Sequence, residues 1–231
     1  MFSWSFLFFP CLKYSFIVFY IKMTDTVSNN ENLARLGVAP HILTILTKLG
    51  FVTPTPIQAQ AILPAIEGKD IVGIAQTGTG KTLAFAIPMI QRFAKSNGLG
   101  LVVVPTRELA IQIETVFQSV GQSLGIKTAL LIGGASISAQ MNALRRRPNV
   151  IICTPGRMND HLNQKTLTLQ NVSVLVLDEA DHMFDMGFLP QITRMLQLVP
   201  KERQTLLFSA TMPSEIFALA THHMRAPVRI E

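Results

Sequence analysis

The stretch IVGIAQTGTGKT, Ile71 to Thr82, decides the fold. A short apolar run, Ile71–Ile74, meets two closely spaced glycines and then Lys81 and Thr82. The spacing fits G-x-x-x-x-G-K-[ST], with Ala75 at the first glycine position. Gly78 and Gly80 let backbone N–H groups turn inward around phosphate oxygens. The helix expected next directs its N-terminus at the same anion. Lys81 supplies a point charge near terminal phosphates, and Thr82 offers a hydroxyl to Mg²⁺. Ala75, Gln76, Thr77 and Thr79 complete the cradle. A glycine-rich turn with a chance GKT is the alternative, and the context of the stretch separates the two.

That context is an alternating chain. Apolar runs predict strands at Ile71–Ile74, Leu101–Val104, Thr128–Ile132, Val150–Cys153, Val174–Leu177, Thr205–Phe208 and Val228–Ile230. Most are nearly continuous, as strands buried on both faces of a parallel sheet should be. Between them lie helical stripes: Leu109, Ile113, Val116, Phe117, Val120 and Leu124 over 108–124, and Phe188, Ile192, Met195, Leu196 and Val199 over 188–199. Strand–helix repetition predicts an α/β domain with a mostly parallel central sheet and right-handed crossovers. Ligands bind such sheets beyond the carboxyl ends of the strands. Six polar or glycine-rich clusters follow six of the runs: AQTGTGKT, PTREL, GG, TPGR, DEAD and SAT. A core needs none of them there.

The fifth cluster supplies acid to the phosphate loop. VLVLDEAD is an apolar strand ending in Asp178 and Glu179. A carboxylate at the end of a neighbouring strand can hold Mg²⁺, usually through water. The next one, Glu179, can orient and deprotonate an attacking water. A capped helix start explains either acid singly. It does not explain both behind a strand in a chain that also carries the loop. Together, Lys81, Asp178 and Glu179 predict a nucleoside-triphosphate hydrolase site.

Composition bounds the rest. At 231 residues the chain is long enough for one substantial domain. Its net charge of +6 is compatible with a polyanionic partner but does not demand one. Cys11 and Cys153 give no disulfide framework and no metal spacing, so a reducing, cytoplasmic compartment is expected. Residues 1–22 stand apart, holding six of the 14 Phe, the one Trp and both Tyr. A membrane anchor has about this length, but Pro10 and Lys13 interrupt the run. A signal peptide would need a basic start and a small-residue cleavage site. The break in composition at Met23 favours a wrongly assigned start or a removable extension, and without it no membrane association is expected. Without Lys13 and Lys22 the charge falls to 18 minus 14, or +4. Residues 23–32 read as a mobile polar segment, and 33–231 as the domain.

From Leu33 to Glu231 the chain resembles the DEAD-box RNA helicases, ATPases of superfamily 2, and matches their N-terminal RecA-like domain. Seven motifs stand in the family's order: the Q motif GFVTPTPIQ (Gly50–Gln58), AQTGTGKT, PTREL (Pro105–Leu109), GG (Gly133, Gly134), TPGR (Thr154–Arg157), DEAD (Asp178–Asp181) and SAT (Ser209–Thr211). The resemblance implies that Gln58 reads the adenine edge, since a side-chain amide both donates and accepts. Phe51 is a candidate for packing near the base, with a plain core position as the equal alternative. Pro105, Thr106, Arg107, Glu108, Gly133, Gly134, Thr154, Pro155, Gly156 and Arg157 would line an RNA groove. Arginines there can pair with phosphate, and glycines and exposed N–H groups allow close approach to the sugar–phosphate chain. Recognition would then be sequence-nonspecific. The alternative for each is a capped turn or helix start. Ser209, Ala210 and Thr211 would contact Asp181 and couple hydrolysis to RNA release.

Two departures from the family pattern stand out. The usual aromatic residue 17 positions before Gly50 is Leu33 here, so adenine-side packing should be weaker or the local chain different. The family's second RecA-like domain, with its arginine finger and half of the RNA groove, is missing, so the chain is expected to be a fragment. The expected function is the ATP-binding half of an RNA-dependent ATPase and helicase using ATP and Mg²⁺. The alternative is a standalone RNA- or protein-binding module without unwinding activity. An unrelated phosphate-loop enzyme leaves PTREL, TPGR and SAT unexplained. Of the remaining features, LRRRP (Leu144–Pro148) reads as a solvated helix end, His222-His223 as no metal site, and Cys153 as a small core residue.

Overall fold

A computed structural model describes residues 30–231 of the chain. The extension 1–22 and residues 23–29 of the polar segment lie outside it. Residues 30–32 open the first helix, α1 (Asn30–Arg35). Then follow α2 (Pro40–Lys48), α3 (Pro56–Ile66), β1 (Ile71–Ile74), α4 (Lys81–Phe93), β2 (Leu99–Val103) and α5 (Arg107–Gly121). The second half runs β3 (Thr128–Leu131), α6 (Ile137–Arg145), β4 (Val150–Cys153), α7 (Pro155–Asn163), β5 (Val172–Leu177) and α8 (Ala180–Asp185). It closes with α9 (Leu189–Leu198), β6 (Gln204–Ser209), α10 (Ser214–His223) and β7 (Val228–Ile230).

The seven strands of the described residues join one sheet in the order β3-β4-β2-β5-β6-β1-β7. Every pairing is parallel, so the sheet goes beyond the mostly parallel expectation. The continuous apolar runs have a direct cause. Val102, Val150, Ile152, Val174, Val176, Leu206 and Phe208 enter one core with α2, α3, α4 and α5. Their neighbours Leu101, Val103, Ile151, Cys153, Leu175, Leu177 and Leu207 enter a second core with α7, α8, α9 and α10. Side chains alternate across a strand, and here both faces are covered.

In the first core Phe85 packs against Phe208 and Phe117, with ring centroids 5.7 and 6.5 Å away. Aromatic pairs in such tilted geometry add about 1 kcal/mol each beyond their buried area. Phe208 also lies over Gly73, where a Cβ would meet its ring at 2.6 Å, so β1 needs a glycine at that register. Leu33 sits in the same core at 2% exposure. It fills space between helices and presents no face to a ligand. No helix among the described residues is long and apolar enough to cross a membrane.

The strand order divides the carboxyl edge of the sheet. The clusters behind β1, β5 and β6 gather on one half, and those behind β2, β3 and β4 on the other.

Candidate active site and nucleic-acid groove

The turn after β1 is shaped by its glycines. Gly78 and Gly80 adopt φ of +85° and +92°, a region open to glycine at little cost. Gly80 is doubly required, since a Cβ there would strike Gln58 Nε2 and Thr55 Oγ1. The Ala75 N–H donates to the Ser209 carbonyl, and Thr79 Oγ1 closes the turn on the Gln76 carbonyl. Lys81 is the first residue of α4 and is 5% exposed. Its Nζ lies 3.7 Å from Asp178 Oδ1, across the end of β6. That distance makes an ion pair and not a hydrogen bond, and the buried ammonium has no hydrogen-bond partner among the described residues. Thr82 follows it, half-buried.

Asp178 is 2% exposed at the end of β5. Burial pushes its carboxyl up to about 6; Glu179 adds to the rise and Lys81 opposes it. Glu179 sits at φ +53°, ψ +51°, a left-handed conformation that costs a residue with a Cβ roughly 1–2 kcal/mol. Strain of this kind persists where the surroundings hold it and collects at functional sites. Thr77 Oγ1 donates to Glu179 Oε1 at 3.0 Å, and His182 Nδ1 lies 3.5 Å from Oε2. The phosphate loop and the acid are therefore already linked. Neither Thr77 as a partner of Glu179 nor His182 was legible in the sequence.

Asp181 joins the DEAD and SAT clusters. Its Oδ2 accepts from the Ala210 and Thr211 N–H groups and from Thr211 Oγ1, while its own N–H donates to Ser209 Oγ. Partial burial raises its pKa, but hydrogen bonds from Thr211 and contact with Ser209 outweigh that and hold the carboxyl below its ordinary range. Gln58, near the start of α3, bridges two elements. Its Oε1 accepts from Thr55 N–H, and its Nε2 donates to the Gly80 carbonyl at 3.0 Å. One oxygen lone pair and one N–H remain for an adenine edge. Phe51 is 42% exposed after α2, so the core alternative for it is excluded.

The second half of the edge forms a groove of about 500 Å³. It is lined by Pro105, Thr106, Arg107, Glu108, Gly133, Thr154, Gly156 and Arg157, together with Asp160, Met186 and Phe188, which the motifs did not indicate. Thr106 is also a helix cap, its Oγ1 accepting from Leu109 N–H. Pro155 lies apart from the groove, buried in the first turn of α7 where its fixed φ suits a helix start. Gly134, at φ +79°, lies under Arg107, and a Cβ there would collide with Arg107 Nη1. Arg157 donates from Nη1 to the Ala135 carbonyl at 2.8 Å and lies 3.4 Å from Asp160 Oδ2.

A larger groove of about 1180 Å³ lies at the opposite edge, lined by Leu99, Arg145, Arg147, Lys165 and Ser173 among others. It contains none of the motif residues. Arg145, Arg146 and Arg147 are exposed at the end of α6, as a solvated helix end should be. Cys153 is fully buried in β4, and burial pushes its thiol far up. Among the described residues no three His, Cys, Asp or Glu side chains gather as a metal site would require.

A sequence profile described as DEAD/DEAH box helicase matches residues 55–219. The ATP-dependent rRNA helicase rrp3 of Schizosaccharomyces pombe is 44% identical over 208 residues, covering 87% of this chain and 45% of that protein. The DEAD-box ATP-dependent RNA helicase CshA of Bacillus cereus is 46% identical over 198 residues, covering 85% of this chain and 38% of that protein. The crystal structure of a DEAD box protein from the hyperthermophile Methanococcus jannaschii superposes with a TM-score of 0.82 at 40% identity. That superposition covers 86% of this chain and 55% of the other. The chain thus spans less than half of the curated relatives' length, and its sheet is the RecA-like one that the motifs implied. The chain belongs to the DEAD/DEAH box helicase family.

Proposed function

We propose that this chain is the ATP-binding half of an ATP-dependent RNA helicase, and that it works with a second RecA-like domain. One observation carries the reading. A buried ammonium, Lys81 Nζ, has no hydrogen-bond partner among the described residues and stands beside a buried carboxylate, Asp178, under a loop whose glycines turn its backbone back on itself. Leaving such a donor unpaired costs roughly 1–3 kcal/mol or more in a protein with no ligand for it. A triphosphate removes that cost.

The residues fit Mg-ATP. Lys81 and the 75–80 backbone would bind the phosphates, with Thr82 and Asp178 holding Mg²⁺, the latter through water. Mg²⁺ supplies charge neutralisation to the phosphates when bound. Glu179, held by Thr77, takes a proton from the attacking water. Phe51 and the free donor and acceptor of Gln58 support an adenine-side contact. The Asp181–Ser209–Thr211 bonds couple this site to the remainder of the edge. On the other half, Arg107, Arg157 and the Gly133–Gly134 backbone suit a sugar–phosphate chain and carry no base-edge code. The relatives' names, rRNA and RNA helicases, support RNA as the polymer.

The test is ATP hydrolysis by the chain, with and without single-stranded RNA, using Glu179→Gln as the blank. Mg²⁺-dependent ATP binding is expected with slow turnover, on the order of 10³ below a complete enzyme because the arginine finger lies in the second domain. Turnover should rise when that domain is supplied and vanish in Glu179→Gln. Absence of Mg-ATP binding, or turnover unchanged by Glu179→Gln, would overturn the reading. Competition between matched RNA and DNA oligonucleotides decides the polymer.

A further inference from the structure

Two buried polar side chains lie outside both halves of the site. Gln140, on α6, is 4% exposed, and His161, on α7, is 1% exposed. His161 Nε2 lies 3.0 Å from Gln140 Oε1, and Gln140 Nε2 donates to the Ile132 carbonyl at 2.8 Å. His161 Nδ1 lies 2.7 Å from Thr166 Oγ1.

The amide chemistry assigns the ring tautomer. The Gln140 amide must turn its N–H to the Ile132 carbonyl, since the reverse would set two oxygens against each other. Its oxygen therefore faces the imidazole and only accepts, so His161 carries its hydrogen on Nε2. Nδ1 then accepts from the Thr166 hydroxyl, the nearer of the two acceptors that hydroxyl can reach; the His161 carbonyl lies 3.2 Å from Oγ1. The ring is neutral in this arrangement. Burial and the Arg157 guanidinium both lower the His161 pKa, against a smaller opposing effect of Asp160.

The placement of this chain of bonds is the informative part. Ile132 immediately precedes Gly133. Arg157, one turn before His161 on the same face of α7, donates to the carbonyl of Ala135, immediately after Gly134. Helix α7 therefore grips the Gly133–Gly134 turn on both sides, through Arg157 directly and through His161 by way of Gln140. The two grips differ. Arg157 lies in the groove and can leave Ala135 for a phosphate, whereas the Gln140–His161 link is buried and cannot.

We infer that Gln140 and His161 are positioning residues for RNA. They fix the spacing between the Gly133–Gly134 backbone and the first turn of α7, and they keep it when Arg157 turns to a phosphate. The inference rests on the RNA reading of the groove.

The experiment measures binding of a fluorescein-labelled single-stranded RNA by anisotropy, with nucleotide affinity measured on the same samples. His161→Leu and Gln140→Leu leave a buried polar partner unpaired, and each should weaken RNA binding about tenfold with nucleotide affinity within twofold. His161→Gln keeps an N–H able to reach Gln140 Oε1 and should recover most of the loss. Imidazole ¹⁵N shifts of the parent chain should report the Nε2–H form, and amide exchange at Gly133–Ala135 should quicken in His161→Leu and slow again in His161→Gln. If His161→Leu does not fold, His161→Gln against Gln140→Leu decides. RNA binding unchanged in the leucine variants, or lost in equal measure with nucleotide binding, overturns the inference and leaves the RNA reading standing. A parent chain that binds nucleotide but no RNA overturns the RNA reading and the inference with it.

Discussion

The β1–β6–β5 half of the sheet edge and the β2–β4–β3 half both end in motif loops, yet they hold their functional groups in opposite ways. On the first half the charges are buried and fixed. Lys81 and Asp178 face each other out of water, and Glu179 is locked in a left-handed backbone by its neighbours. On the second half Arg107 is exposed while Arg157 is mostly covered, and what is fixed is backbone: a Gly-Gly turn pinned on both sides by α7. The contrast follows from the ligands proposed for them. A terminal phosphate and its metal need point charges at set positions in low dielectric. A repeating sugar–phosphate chain needs a shaped surface with cations that can follow it.

Three measurements test that contrast. The largest effect should come from Lys81→Ala. Removing one charge-assisted phosphate contact, roughly 3 kcal/mol, should weaken nucleotide binding about a hundredfold in a fluorescent-nucleotide titration. RNA binding should stay within twofold, and a matching loss of RNA binding would show that the halves are not separate. The second effect is pH. With its carboxyl pushed up to about 6, Asp178 carries a proton below that pH and loses its capacity for Mg²⁺. The Mg²⁺-dependent part of nucleotide binding should therefore strengthen as pH rises, by roughly tenfold from pH 5 to 7, following the ionised fraction. RNA binding without nucleotide should lack this step; a flat Mg²⁺ profile would count against Asp178 as the metal group. The smallest effect is Gly134→Ala. A Cβ at φ +79° costs about 1 kcal/mol and displaces Arg107, so RNA affinity should fall about fivefold with nucleotide affinity unchanged.

Much of this molecule is legible in its sequence for reasons that particular segments show. Ile71–Ile74, Val150–Cys153 and Val228–Ile230 form strands with the expected bounds, because a two-faced buried strand is written as an apolar run. Others run longer than expected: β2 starts at Leu99 and β5 at Val172, where glycine or a half-exposed serine dilutes the run. The 108–124 stripe ends as a separate 3-10 turn at Gln122–Leu124 after α5, although its apolar spacing continues. Phe51 could not be assigned by residue type, since core and ligand-facing phenylalanines look alike in a sequence. Gln140 and His161 carried no signal at all. They are ordinary polar residues 21 positions apart whose meaning is a shared hydrogen bond.

The chemistry on offer and its order along the chain are readable from the linear sequence: a phosphate loop behind one strand, acids behind another, arginines and glycines behind three more. Short motifs act through the local backbone, and local backbone is written locally. Which of them meet is set by the packing of the whole sheet. The strand order brings Asp178 to Lys81 across β6 and leaves the β2, β3 and β4 loops together on the far half, while two buried hydrogen bonds link α7 through Gln140 to the residue before the Gly-Gly turn. The physical reason is that strands apolar on both faces are nearly interchangeable in a linear reading. Their neighbours are chosen by long-range packing of the two cores, and no single segment holds that information.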